Sequence, residues 1–401
     1  MDFFTHFNLY KVYRLLLIAL AFLLPLTVFG ANLIIVIICL IWLFSGDYKS
    51  KFNHIINNKL MLASIAFFSL HLVGLIWTED LKWGLHIVHK MWYFLLFLPV
   101  LFTIVKKEHI GQYIFSFLFA IGLTEVISYL VWFELIDPFK FATVDNPTPF
   151  MSHISYNPIL AFAIYLVLHQ IFFNKKLSNS LFTFYSFFAI SMSINMFITG
   201  GRAGQVAFFA MLAILIFQIF EKQRIKSLII ISIIIPLIFF IAYQSSWLFK
   251  ARVNYAITEV VSYSDKVENS LGLRINFAIN SWEIIKKNPI IGVGTGDFPK
   301  EYLKINQVNS PNLPNTKNPH NMYVLVLVQL GFLGLFSLLS IFYYQIKISF
   351  TSSSHFIRDV GLTLPLMFLV MMLSDSYLLG HFTSLLFVFF SSFLYKDFEQ
   401  I

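Results

Sequence analysis

The chain has 401 residues, of which 58% are hydrophobic and only 12% charged, with a formal net charge of +8. Soluble domains carry roughly 25% charged residues, and apolar runs long enough to cross a ~30 Å hydrocarbon layer recur from end to end. These features exclude a soluble protein and predict a polytopic membrane protein.

The first apolar run follows Lys11 and Arg14, as in a signal peptide. A second run comes almost at once, with no small-residue cleavage pattern, so the first helix is read as retained. Cys39, the only cysteine, lies inside that second run and excludes an intrachain disulfide or thiolate metal site. Hydropathy predicts spans over 12–29, 31–45, 59–77, 91–105, 111–136, 156–173, 181–199, 203–220 and 227–243. Three more follow over 322–346, 360–374 and 378–395. The expected fold class is therefore an all-α polytopic membrane protein of about twelve transmembrane helices, with both termini on one side.

The distribution of Lys and Arg orients it. With the N-terminus inside, the inner segments hold fifteen such residues, from Lys11 and Arg14 to Arg358 and Lys396. The short outer loops hold four: Lys82, Lys90, Lys140 and Arg202. The positive-inside rule then places both termini in the cytoplasm. It also accounts for most of the basic excess, so nucleic acid is not an expected partner and membrane lipids are.

The connection between the ninth and tenth spans, residues 244–321, is not a short loop. Within it Leu271, Ile275, Ala278, Trp282 and Ile285 recur at three- and four-residue spacing, predicting an amphipathic helix. Asn288-Pro289 should end that helix, and "NQVNSPNLPNTKNP" reads as irregular. The expected organisation is membrane helices over 1–243, an external helical domain over 244–321, and membrane helices with a short tail over 322–401.

Three residues on the predicted outer side are candidates for chemistry. Arg202, in "FITGGRAGQVAFF", follows two glycines that leave backbone open and precedes a helix N-terminus, a setting suited to phosphate. The plainer reading is an arginine snorkelling to the interface. Arg274, in "SLGLRINFAINSW", would alone be a solvated surface charge. His320 lies between Asn318-Pro319 and the tenth span. There the helix dipole disfavours imidazolium, and a neutral imidazole can accept a proton from an attacking hydroxyl. The alternative is a histidine that merely occupies the interface. Asp145 and His153, in "VDNPTPFMSHISYNP", are candidates to line the same cleft.

Other signals point less far. "GVGTGDF" has the wrong spacing and no strand–turn–helix context for a nucleotide loop, so a tight turn is expected. Glu125, near the middle of the fifth span, is an intramembrane acid and a functional pointer by default, or simply a protonated, hydrogen-bonded acid. No His, Asp or Glu pattern with metal spacing appears, so neither metal nor cofactor is expected.

Three blocks together resemble the O-antigen ligase family: "ITGGRAGQVAFFAML", "LRINFAINSWEIIKKNPIIGVGTGDF" and "NPHNMYVLVLVQLGFLGL". The resemblance covers roughly residues 190–345. It implies a GT-C-like arrangement of twelve helices with a periplasmic domain between helices nine and ten. The implied reaction moves a glycan from undecaprenyl pyrophosphate to lipid A–core in the periplasm of a bacterial inner membrane, without metal or nucleotide. Carried over by motif, Arg202 and Arg274 bind the pyrophosphate and His320 helps activate the acceptor hydroxyl. The family often has a serine where this chain has Gly201. An O-antigen polymerase or a protein O-oligosaccharyltransferase of the same superfamily is the near alternative. A transporter is the distant one, for which only Glu125 and His71 offer midplane ionisable groups.

Overall fold

A computed structural model describes residues 9–261, 269–396 and 398 of the chain. Residues 262–268 of the predicted external domain lie outside the described residues. The chain opens with α1 (Leu9–Leu23), α2 (Val28–Phe44), α3 (Tyr48–Ile56) and α4 (Lys59–Val73). Next come α5 (Leu81–Trp92), α6 (Leu98–Ile104), α7 (Ile110–Trp132), α8 (His153–Phe173) and α9 (Asn179–Ile198). The middle holds α10 (Arg202–Ile219), α11 (Arg224–Ser245), α12 (Trp247–Val261), α13 (Ser270–Lys287) and α14 (Phe298–Asn309). The chain closes with α15 (Met322–Thr351), α16 (His355–Met371) and α17 (His381–Leu394).

No strand occurs among the described residues, and the molecule is an all-α polytopic membrane protein. Each of the twelve predicted runs is helical. Eight helical segments among the described residues are long and apolar enough to cross a bilayer; α2 and α3 pass the same test only as a pair, bent by 118° between them, and make a ninth if the pair is one span. The rest are short of a full span: α1 ends at Leu23 ahead of Pro25, and α17 has 14 residues. Hydropathy alone ran the first span through that proline, which removes a backbone donor and closes the helix.

By compactness the chain divides into two units, each made of non-contiguous segments. The first comprises Met1–Phe44, Ile104–Val253 and Phe398–Ile401; the second comprises Ser45–Thr103 and Asn254–Asp397.

In the first unit α8 and α10 make the closest pairing, with α9 beside α8 and α11 beside α10. Between membrane helices the driving force is close packing, which small residues permit. Gly204 supplies it: a Cβ there would lie 2.3 Å from Asn157 Cβ. A Cβ on Gly201 would lie 2.5 Å from both Asn157 Cγ and the His153 carbonyl oxygen. The glycines of "GGRAG" let the start of α10 rest against α8, and a serine at 201 would not fit without movement.

In the second unit α15 packs on α4, α13 and α16. The segment after α13 is more than the expected turn. Val293 and Gly294 donate to the carbonyls of Val328 and Gln329, at 2.9 and 3.0 Å. In exchange Phe332 and Leu333 donate to the carbonyls of Pro289 and Ile290, at 2.8 and 3.2 Å. Helix α15 breaks between these sets at Gly331 (φ 61°, ψ −158°). Backbone freed by a break in a membrane helix needs new partners, and the 289–296 segment supplies them.

Asp297 then fastens the segment to the turn before α5. Its carboxylate accepts Thr78 Oγ1 (2.7 Å), Glu79 N (2.7 Å) and Asp80 N (2.8 Å). Two readings of this region need correction. Helix α14 was not foreseen; Pro299 falls in its first turn, where its missing N–H does no harm. Helix α13 lies where the periodicity predicts it, but its buried face is rotated from the predicted one: Ile285 is buried as expected and Trp282 is 53% exposed, whereas Asn276, Phe277, Asn280 and Ile284 are buried. Asn276 and Asn280 turn inward because Tyr302 Oη and Asn306 Oδ1 accept from their amides, at 3.1–3.4 Å.

Candidate functional site

His320 sits two residues before α15, in the second unit. Asn321 caps that helix, its Oδ1 accepting the N–H groups of Tyr323 and Val324 at 3.0 and 3.1 Å. His320 itself adopts φ 54°, a left-handed conformation that costs most side chains about 1–2 kcal/mol. Asn318 holds it there: Asn318 Oδ1 accepts the His320 N–H at 3.0 Å and Ser376 Oγ at 2.9 Å. The two asparagines of "NPHN" thus have separate tasks, one fixing the histidine and one starting the helix.

The imidazole faces a carboxylate. His320 Nδ1 lies 3.4 Å from Asp375 Oδ1, in the loop between α16 and α17. That oxygen also accepts the Ser376 N–H at 2.7 Å and Asn318 Nδ2 at 2.8 Å. Burial works to raise the Asp375 carboxyl, but the interactions with His320, the Ser376 N–H and Asn318 outweigh it and hold the acid below its ordinary value. A carboxylate on Nδ1 orients the ring and directs Nε2 to outside chemistry. The 3.4 Å separation is longer than a formed hydrogen bond, as acid–base contacts often are before substrate arrives.

Helix α13 completes this neighbourhood. Phe277 stacks on the His320 ring with centroids 6.2 Å apart. Arg274, one turn earlier on α13, is exposed. Tyr377 senses both charges: burial and the Asp375 charge push its hydroxyl up, and the Arg274 guanidinium works against them. The second unit therefore brings Arg274, His320 and Asp375 into one electrostatic neighbourhood.

Arg202 belongs to the first unit, as the opening residue of α10. The turn before it is pinned by side-chain amides. Asn157 Nδ2 donates to Thr199 Oγ1 (2.9 Å), Gln205 Nε2 to the Thr199 carbonyl (3.0 Å), and the Gly200 N–H to Asn146 Oδ1 (2.9 Å). Asn146 Nδ2 pairs with His153 Nδ1 at 2.9 Å, so His153 supports this turn. Arg252 of α12 comes against it as well, with Nη2 3.3 Å from where a Cβ on Gly200 would stand. Asp145 lines an apolar cavity of the same unit.

Residues 187–339 match the family model described as O-antigen ligase. The chain carries an O-antigen ligase family domain. The matched segment runs from within α9 into α15 and contains Arg202, Arg252, Arg274 and His320. The match supports a member of the O-antigen ligase and polymerase superfamily and suggests a glycosyltransferase-like enzyme. A comparison with curated proteins finds no match.

Two residues of this arrangement escaped the sequence reading. Asp375 lies beyond the family domain, in a short loop between apolar runs; its only sequence signal is an isolated acid in a chain with 20 acidic residues among 401. Arg252 had no motif to mark it. Glu125 is buried on α7, and its Oε1 lacks a hydrogen-bond partner. His71 is buried on α4 with Nδ1 on the Phe67 carbonyl at 2.9 Å, a structural role.

Proposed function

We propose that the chain is an O-antigen ligase, transferring a glycan from undecaprenyl pyrophosphate to lipid A–core at the periplasmic face of the bacterial inner membrane. The observation that carries this reading is the His320–Asp375 pair, its histidine held in a left-handed turn inside the family domain.

In the proposed step the acceptor hydroxyl gives its proton to His320 Nε2 as its oxygen attacks the anomeric carbon. The bond from that carbon to the phosphate oxygen breaks, and undecaprenyl pyrophosphate leaves. Asp375 stabilises the imidazolium that forms, and positioned acid–base groups of this kind contribute about 10²–10⁴-fold. Negative charge develops on the leaving oxygen, where preorganised cations lower the barrier. Arg202 and Arg274 are assigned that task, which makes the reaction independent of metal. A single displacement inverts the anomeric centre, and an NMR assignment showing retained configuration would contradict it.

The test uses the purified chain in lipid, an undecaprenyl-pyrophosphate glycan and lipid A–core, with EDTA present. Glycan on lipid A–core, lost in His320→Asn and Arg202→Ala, is the expected result. Longer lipid-linked glycans with untouched lipid A–core would instead identify a polymerase.

A further inference from the structure

The second unit gathers basic side chains around α5 that the reading above leaves unused. Lys82, His86, His89 and Lys90 recur along α5 at three-, four- and seven-residue spacing, which puts them on one face of the helix. On the other side Gly84, Ile87 and Met91 are buried. Gly84 lets the helix settle closely, since a Cβ there would lie 2.5 Å from the Thr295 carbonyl oxygen. Lys82, His86 and His89 are exposed, and Lys90 is partly buried. Two neighbours extend the stripe. His381, the first residue of α17, lies within electrostatic range of Lys90, His89 and His86. Lys317 holds its ammonium 5.2 Å from the centre of the Trp83 ring, and His86 lies against the same ring at 4.8 Å.

Positive charge is disfavoured here on three counts. Lys82 stands in the first turn of α5, which has no acidic residue, and the helix dipole there repels a cation. Like charges at three- and four-residue spacing work against a helix. The predicted orientation also puts Lys82 and Lys90 on the outer side, where basic residues are depleted. Among the described residues no carboxylate forms an ion pair with Lys82, Lys90, Lys317, His86, His89 or His381. The acids nearby in sequence are engaged: Glu79 with Lys304 at 3.3 Å, Asp80 with the Trp83 N–H at 3.0 Å, and Asp375 with His320. Such a patch calls for an anion from outside the chain, and its position selects one. Helix α5 packs against the turn Tyr377–Leu379, which follows Asp375 by two residues. Lys317 precedes His320 by three, at most about 10 Å of chain.

We infer that this patch binds the phosphate groups of a phosphorylated acceptor glycolipid, with Lys82, Lys90 and Lys317 supplying the charge and the imidazoles further hydrogen bonds. The inference rests on the ligase reading above and adds which part of the acceptor is held and by which side chains. An ammonium offers phosphate oxygens up to three charge-assisted hydrogen bonds, and a neutral imidazole offers one. Holding the acceptor by its phosphates fixes its position and leaves a sugar hydroxyl free to reach His320.

The test measures transfer by the full chain in phosphatidylcholine nanodiscs, offering lipid A–core or the same acceptor stripped of phosphate by a phosphatase. Lys82→Gln combined with Lys90→Gln should raise KM for lipid A–core about tenfold, and Lys317→Gln about threefold, at unchanged kcat. Removing the phosphates should raise the wild-type KM about tenfold, and neither variant should then raise it further. Lys317 lies outside α5, so it carries the measurement if the double variant does not fold. Equal wild-type KM for the two acceptors, unchanged KM in the variants, or a lowered kcat with KM intact would overturn the assignment. So would a wild-type KM that rises to the variants' value when phosphatidylglycerol replaces half of the phosphatidylcholine, which would mark a site for bulk lipid headgroups. Direct binding of the two acceptors separates this inference from the ligase reading. Preference for the phosphorylated acceptor without any transfer would sink the ligase reading and leave the patch standing. Transfer to both acceptors with equal KM would do the reverse.

Discussion

At the scale of single residues, His320 combines two properties that a substitution can separate: a side chain that can accept a proton and a backbone at φ 54°. Asparagine tolerates left-handed backbone better than alanine, yet it cannot act as a base at neutral pH. His320→Asn and His320→Ala should both lose about 10²-fold or more in transfer rate, but only the alanine variant should also lower the thermal midpoint. Full transfer by the asparagine variant would remove the histidine from the chemistry. Asp375 carries a pH signature. Its folded carboxyl titrates below its ordinary value of 3.8, so its stabilisation is fully present above that value and is lost as pH falls through the folded one. The gap in unfolding midpoint between wild type and Asp375→Asn should hold steady above roughly pH 5 and close below about pH 4; a gap that grows on acidification would contradict this. The sequence disclosed the histidine because "NPH" at a helix mouth is a local pattern. It could not disclose Asp375, 55 positions later, because the pairing is made by α15 and α16 lying side by side.

Among the elements, the junction of α15 with the 289–296 segment shows how far hydropathy reaches. Continuous apolarity over 322–346 announces one helix, and that helix exists; its break at Gly331 is invisible in hydropathy because glycine also occurs in unbroken membrane helices. The break is legible only from the segment that fills it. A Cβ on Gly331 would stand 2.3 Å from the Ile290 carbonyl oxygen, and alanine would also have to take up φ 61°. Gly331→Ala should therefore destabilise the fold by roughly 2–4 kcal/mol, seen as a lower midpoint in detergent and reduced yield. An unchanged midpoint would mean that α15 can straighten without the 289–296 backbone. The same limit explains α13: periodicity found the helix, but its buried face includes Asn276 and Asn280, which hydropathy assigns to water. Their partners lie on α14 and were not foreseen.

For the whole molecule, hydropathy yields spans but not partners, which is why the two units could not be read from sequence. Each is assembled from distant stretches; α4 packs on α15 although about 250 residues separate them. Net charge, by contrast, acts over the whole chain and needs no contacts. Fifteen Lys and Arg residues against four in the short opposite loops is an asymmetry of the kind that orients helices as they insert, and it predicts which membrane face the proposed site uses. The lone cysteine makes this directly measurable. With Cys39→Ser as background, a cysteine at the exposed Asn312 should react with a membrane-impermeant maleimide in spheroplasts. One at the exposed Lys175 should react only after lysis. The reverse pattern would put His320 and its turn in the cytoplasm, away from any periplasmic acceptor, and the ligase reading would fail with the orientation. The expected pattern would leave a site whose donor lipid, acceptor and displaced pyrophosphate all meet at the outer surface, which is what direct transfer between two lipid-borne molecules requires.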